Sequence, residues 1–415
     1  MSKLVVTGGQ PLEGTVTVSG AKNAVLPIIA ASLLTREPVQ LDDVPELVDV
    51  NLMGEVIQAL GAKVERSGSQ LKIHVAEIAN IEAPHDLVSQ MRASIVIMGP
   101  LLAREGRVRI SHPGGCAIGS RPINWHLKGL EALGADVRMD HGFLDVRGTL
   151  RGARIYLDFP SVGATENIMM AAVLAKGTTT LENAAQEPEI VDLANFLNEM
   201  GAKVRGAGTS IIRIDGVQEL SGTSHTIIPD RIEAGSYILM AAATGGDVLV
   251  QNVISDHLNP MLAKMEEAGI PFREEDDGIR IFSEGHYRAV DIKTQVHPGF
   301  PTDLQAPFMA LLSKGHGMGM VTETVFENRF MHVDELKRMG ADIKIEGRVA
   351  IVQGVSKLTG APVTAADLRA GAALILAALS AEGTSEISGV QHIDRGYEHI
   401  EEKITRIGGV IRRED

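Results

Sequence analysis

The sequence predicts an α/β protein of two domains, each built from three repeated βαβαββ-like units. Three observations carry that expectation. One phrase recurs six times at near-constant spacing; six Ala- and Gly-rich apolar segments alternate with short β-branched runs; and 415 residues, at roughly 150 per domain, suit two or three domains.

The recurring phrase is an amphipathic segment, a hydrophobic residue, Gly and a short strand: QALGAKV, EALGADV, NEMGAKV, EEAGIPF, KRMGADI and TRIGGVI. Its glycines, Gly61, Gly134, Gly201, Gly269, Gly340 and Gly408, recur about every 70 residues. A helix that ends in the left-handed conformation favours Gly, which has no Cβ to clash, so each marks a helix stop. Upstream of them lie AKNAVLPIIAASLL, MRASIVIMGPLLARE, GATENIMMAAVLAKG, RIEAGSYILMAAATGG, LQAPFMALLSKG and LRAGAALILAALSAEG. Helices apolar on nearly all sides belong in a core. Alternating strands follow them in VQLDDV, VRISHP, TTLENA, VLVQNV, MVTETV and SEISGV. A unit thus reads strand, buried helix, strand, outer helix and strand pair.

The sixth unit stops short, because only VIRRED follows Gly408 and its neighbour Gly409. Residues 4–18 have the missing pattern, so the N-terminal segment is expected to complete the sixth unit. Six such units exceed one core. Residues 21–228 are expected to form one domain, and residues 1–20 with 229–415 the other.

Composition excludes several function classes. A net charge of -14 argues against a nucleic-acid surface, which needs a basic face. The N-terminus MSKLVVTGGQ lacks a signal core, and no apolar stretch is long enough to span a bilayer. A single Cys forms no internal disulfide and no Cys-based metal site, which points to the cytoplasm. His112, His126 and His297 lack metal-ligand spacing, and neither a Walker-type phosphate loop nor a strand-linked GxGxxG is present. The expected protein is a monomer that needs no cofactor or metal and whose partners are small molecules, with no nucleic acid and no membrane.

The starts of the six buried helices hold Lys22, Arg92, Thr165, Arg231, Asp303 and Arg369. Four are cationic, although the helix dipole disfavours cations there. Free N–H groups together with a base make an anion site; the alternative is a set of solvated helix-start residues. Asp303, in HPGFPTDLQAPF, is the acidic exception and reads either as a base or hydroxyl acceptor or as a helix N-cap. A lone Cys is ordinarily a small buried hydrophobe. Cys116, however, lies among Pro113, Gly114, Gly115, Gly119 and Arg121, in an inserted loop of the kind that carries function. Nearby positive charge favours its thiolate and a bound anion its thiol, so it suits a general acid, a nucleophile or both. Asn328-Arg329 and Asp394-Arg395-Gly396-Tyr397 fall at the equivalent insertion in their own units.

At SGAKNA, QMRAS, PGGCAIGSRP, SVGAT, GFPTD, FENRFMH, DLRA and DRGYE the chain resembles the UDP-N-acetylglucosamine enolpyruvyl transferases, over its whole length and in the same order. The resemblance implies an inside-out α/β barrel in two domains with the active site in the cleft between them. It implies transfer of the enolpyruvyl group of phosphoenolpyruvate to the 3-hydroxyl of UDP-N-acetylglucosamine, with release of phosphate, as the first committed step of peptidoglycan precursor synthesis. By the same resemblance Lys22 and Asn23 contact phosphoenolpyruvate and the reacting hydroxyl, and Arg121 and Arg395 hold phosphate and carboxylate. Cys116 protonates the methylene carbon, and Asp303 takes the hydroxyl proton. Arg92, Pro122, Ser161, Val162, Gly163 and Val325 match nucleotide-sugar contacts, and Arg329 and Arg369 the positive lining. The chain departs from some members at Phe159-Pro160, where they carry a Lys. Trp125 reads equally as a stacking partner for the nucleotide or as packing. Two rival readings are a shikimate-type enolpyruvyl transferase, against which the Cys116 loop speaks, and a catalytically silent binding protein, which would lose its acid, base and phosphate clamp.

Overall fold

The structure, a computed structural model, describes residues 2–111 and 122–414. They fall into two compact units, residues 2–19 with 229–414 and residues 20–111 with 122–228.

Three apolar helical segments fill the core of each unit. In one they are Lys22–Ala31, the turn Arg92–Ile97 running into Met98–Glu105, and Val162–Ala172. In the other they are Arg231–Thr244, Gln305–Leu312 and Leu368–Ser380. Small residues let these helices approach closely. A Cβ on Gly99 would lie 2.3 Å from the backbone oxygen of Asn167, one on Gly235 2.7 Å from Leu304 Cδ1, and one on Gly371 2.4 Å from Ile393 Cγ1. Larger side chains would push the first pair of helices apart and the other two helices off the turn Thr302–Leu304 and the short helix Val390–Ile393.

The strands form five four-stranded sheets and one three-stranded sheet among the described residues. Two units close on their own strands. Arg154–Tyr156 pairs in parallel with Thr178–Glu182, which continues through Ile211–Asp215 to Lys203–Arg205. Ile292–Lys293 likewise leads through Met318–Thr322 and Val349–Gln353 to Asp342–Glu346. In the sixth sheet the N-terminal strand Lys3–Thr7 lies between Thr384–Ser388 and Val410–Glu414, with Leu4 opposite Ile387 and Val6 opposite Ile411.

The second N-terminal strand departs from expectation. Glu13–Thr17 does not join the sixth unit but pairs in parallel with Asp247–Gln251 of the fourth. In exchange, Ser224–Thr226 pairs with Val39–Asp42 of the first. The reason is connectivity. The chain passes from one unit to the other after Ser19 and again after Ile228, so each strand before a crossing pairs in the unit it is leaving. The second unit also has no full opening strand. Its place is marked by a single bridge, Glu82 with Arg109, beside the three-stranded sheet.

All six repeat glycines adopt positive φ, from 79° at Gly269 to 114° at Gly61. Each ends an outer helix and turns the chain into the next strand, as Val48–Ala59 does before Lys63–Ser67. No helix among the described residues is long and apolar enough to cross a membrane.

Candidate active site

Asp303 sits in the turn Thr302–Leu304 that leads into the core helix Gln305–Leu312, and its carboxylate caps neither. Two guanidinium groups grip it instead. Arg329 Nη2 donates to Oδ1 at 2.7 Å, while Arg369 donates to Oδ2 through Nη2 at 3.0 Å and Nε at 3.3 Å. Both arginine side chains are almost fully buried. Burial alone would raise the Asp303 pKa, but Arg369 and Arg329 outweigh it and hold the carboxyl well below the usual carboxylate range.

Arg369 is stable at a helix start because Asp367 caps that helix, accepting from the Arg369 and Ala370 N–H groups, and because Asp303 supplies the counter-charge. Its Nη1 also donates to the Tyr397 hydroxyl at 3.3 Å. Tyr397 meets Ser236 Oγ at 2.7 Å, and Ser236 gives its single proton to the Ile232 carbonyl. Tyr397 therefore donates to Ser236 and accepts from Arg369.

Sequence reasoning missed Glu323. This buried carboxylate accepts from the Thr294 hydroxyl at 2.8 Å, the Thr302 hydroxyl at 2.9 Å, and the N–H groups of Val325 and Phe326 at 2.8 and 3.1 Å. Thr302 in turn accepts from Arg329 Nη1 at 2.9 Å. A cue existed: the matching repeat positions hold Asp43, Asn183, Asn252 and Gly389, all with positive φ, and Glu323 breaks that pattern.

In the other unit Lys22 opens its core helix with Nζ 2.6 Å from Asp49 Oδ2, both side chains largely buried, and Asn23 follows, half-buried. Arg92 opens the next helical segment. Burial, reinforced by the Arg92 charge, pushes His126 down to about 4. The neutral ring faces the Asn167 amide nitrogen through Nδ1 at 3.0 Å, and that same nitrogen donates to the Ile95 carbonyl. Nδ1 thus accepts, and the His126 proton resides on Nε2. Next to it, a Cβ on Gly163 would lie 3.2 Å from His126 Cε1. Ser161 caps the helix Val162–Ala172 and its own N–H donates to the Phe159 carbonyl at 2.7 Å, so the N–H groups this helix start can offer an anion are those of Val162 and Gly163.

Other expected residues are dispersed. Thr165 lies inside its helix rather than at the start and accepts from the Ala185 N–H. Arg231 opens its helix beside the capping Asp230. Pro122 is exposed, and Arg395 is half-buried in the segment after the short helix Val390–Ile393. Trp125 stacks on Phe159, with centroids 5.4 Å apart and planes 21° apart. Cys116, Arg121 and the surrounding glycine loop lie outside the described residues. Among the described residues no three His, Cys, Asp or Glu side chains gather into a metal-holding set.

Residues 6–404 match the family model described as EPSP synthase (3-phosphoshikimate 1-carboxyvinyltransferase). The enolpyruvyl transferase NikO from Streptomyces tendae superposes with a TM-score of 0.90 at 25% identity, covering 99% of this chain and 98% of that one. EPSP synthase from Acinetobacter baumannii, at 18% identity and full coverage of both chains, shares the fold with a TM-score of 0.77. The fold is that of the enolpyruvyl transferases, a two-domain inside-out α/β barrel of repeated units.

Closer relatives narrow the class. The chain is 60% identical to UDP-N-acetylglucosamine 1-carboxyvinyltransferase 2 of Carboxydothermus hydrogenoformans, over 100% of this chain and 99% of that one. It is 59% identical to UDP-N-acetylglucosamine 1-carboxyvinyltransferase 1 of Caldanaerobacter subterraneus subsp. tengcongensis, over 99% of each. The chain belongs to the UDP-N-acetylglucosamine 1-carboxyvinyltransferase family.

Proposed function

We propose that this protein transfers the enolpyruvyl group of phosphoenolpyruvate to the 3-hydroxyl of UDP-N-acetylglucosamine, releasing phosphate, in the first committed step of peptidoglycan precursor synthesis. Its lone Cys suits work in the reducing cytoplasm. Family membership supports the substrates, and one observation carries the mechanism: a carboxylate, Asp303, held by Arg329 and Arg369 at the start of a core helix.

In this reading the Cys116 thiol protonates the methylene carbon while the sugar oxygen attacks the adjacent carbon and Asp303 takes the hydroxyl proton. The tetrahedral adduct then returns a methyl proton to the Cys116 thiolate and expels phosphate to form the enol ether. Lys22, Asn23, Arg121 and Arg395 serve the phosphate, the carboxylate and the reacting hydroxyl, with the cations offsetting charge where it develops. Arg92, Pro122, Val325 and the helix start at Ser161, Val162 and Gly163 orient the nucleotide sugar. A carboxylate tied to two guanidinium groups is a weak base. The anionic substrates must therefore draw at least one of Arg329 and Arg369 away from Asp303 before it accepts a proton.

The test is phosphate release from phosphoenolpyruvate with either UDP-N-acetylglucosamine or shikimate 3-phosphate as acceptor. Release with the nucleotide sugar alone is expected. Release with shikimate 3-phosphate, or with neither acceptor, overturns the reading.

A further inference from the structure

We infer that Glu323 is a positioning residue which, through Thr302, sets how firmly Arg329 holds Asp303 and hence how readily Asp303 accepts a proton. The inference rests on the reading of Asp303 as the base.

Glu323 is buried, and all four of its partners are donors. The single Thr302 hydroxyl proton therefore points at Glu323 Oε2, which leaves the Thr302 oxygen to accept from Arg329 Nη1 at 2.9 Å. Arg329 is fixed at both ends of its fork, by Thr302 at Nη1 and by Asp303 at Nη2, whereas its buried Nε has no hydrogen-bond partner among the described residues. Loss of the Thr302 acceptor frees one end of the fork, and the Asp303 contact then has to hold the guanidinium alone. Among the described residues the other charged or titratable groups around this centre include Arg369 on Asp303, Tyr397 and Asp230 near Arg369, His332 near Arg329 and Asp367, and Arg348, whose carbonyl accepts from the Glu323 N–H and whose Nη1 donates to the Thr324 carbonyl at 3.2 Å. Burial leads the effects that push His332 down to about 4, so it stays neutral through the working range.

Glu323→Gln is nearly isosteric and isolates the effect. Its carbonyl oxygen can keep the three donors at Oε1, but its amide group now offers Thr302 a donor and competes with Arg329 for the same oxygen. The acid limb of the kcat profile, which reports the base in the substrate complex, is expected to move up by about 1 pH unit, the low end of what one neighbouring opposite charge does. Thr302→Val should move it the same way, and Thr302→Ser should keep the wild-type limb. The inference is overturned if the limb stays fixed in Glu323→Gln or in Thr302→Val while both variants melt as folded proteins. Asp303→Asn separates the two readings. If that variant keeps the acid limb, Asp303 is not the base; if it loses the limb while Glu323→Gln leaves it unmoved, only the role of Glu323 fails.

Discussion

Asp303 accepts from Arg369 through both Nε and Nη2, at 3.3 and 3.0 Å, so the proposed base and a proposed anion-binding residue are each other's partners. The carboxylate stands where a substrate anion would compete. Asp303→Asn should therefore bind the anionic substrates more tightly while turnover falls by about 100-fold or more, the usual scale for losing a general base. Calorimetric titration alongside steady-state kinetics checks this. Weaker binding in step with lost turnover would show that Asp303 does not hold the arginines back.

Lys22 and Asp49 form a pair 2.6 Å apart with little exposure of either side chain. Lys22→Met leaves the buried carboxylate short of its cation and should cost about 3 kcal/mol, because breaking a buried pair is worse than removing both charges. Lys22→Met with Asp49→Asn should recover most of that stability and none of the activity. Chemical denaturation and phosphate-release assays on both variants separate the roles of Lys22, and activity regained in the double variant would count against a substrate contact.

Cys116 is set in the sequence beside Arg121 and amid glycines. An electrophilic epoxide resembling phosphoenolpyruvate should alkylate it and abolish turnover. Cys116→Asp should retain some activity, since a carboxylic acid can donate the proton, and Cys116→Ser should not. Mass spectrometry of the inactivated protein and rates for the two variants check these outcomes. Equal rates, or inactivation with Cys116 unmodified, contradict the acid role.

The repeat was legible because helix stops and buried helices are local: a positive φ at Gly61 or an all-apolar stretch such as residues 24–31 needs no knowledge of the partner. Strand exchange was not. Glu13–Thr17 and Ser224–Thr226 lead into their helices alike, and only the crossings after Ser19 and Ile228 decide which sheet each joins. Asp303 and Arg369 were legible as candidates because they share one repeat position, and their pairing was hidden because 66 residues separate them. Glu323 acts through Thr302 and Arg329, and although it breaks the repeat pattern at its own position, nothing periodic in the chain names those partners.

Gly129 packs against Ile168, where an added Cβ would lie 2.2 Å from Cδ1 and 2.4 Å from Cγ1. Gly129→Ala should destabilise the protein by about 1–3 kcal/mol through overpacking. Ile168→Ala removes both clashing atoms, so the double variant should be more stable than the sum of the single changes allows. Additive losses in a denaturation cycle would mean that the helix Asn124–Ala132 shifts to make room.

His225 lies on the exchanged strand Ser224–Thr226, with Nε2 3.0 Å from Asp192 and Nδ1 2.8 Å from Glu199. Two carboxylates on two ring nitrogens call for the imidazolium, in which both nitrogens donate. Burial opposes the charge, but Asp192 and Glu199 outweigh it and raise the pKa above 6.5. A raised pKa in the folded state means that the stabilisation is complete below the unfolded value of about 6.5 and fades as pH rises through the folded one. The melting-temperature advantage of the wild type over His225→Gln should thus be largest near pH 6 and shrink toward pH 9. An advantage that stays level or grows with pH would show that His225 holds the strand as a neutral ring.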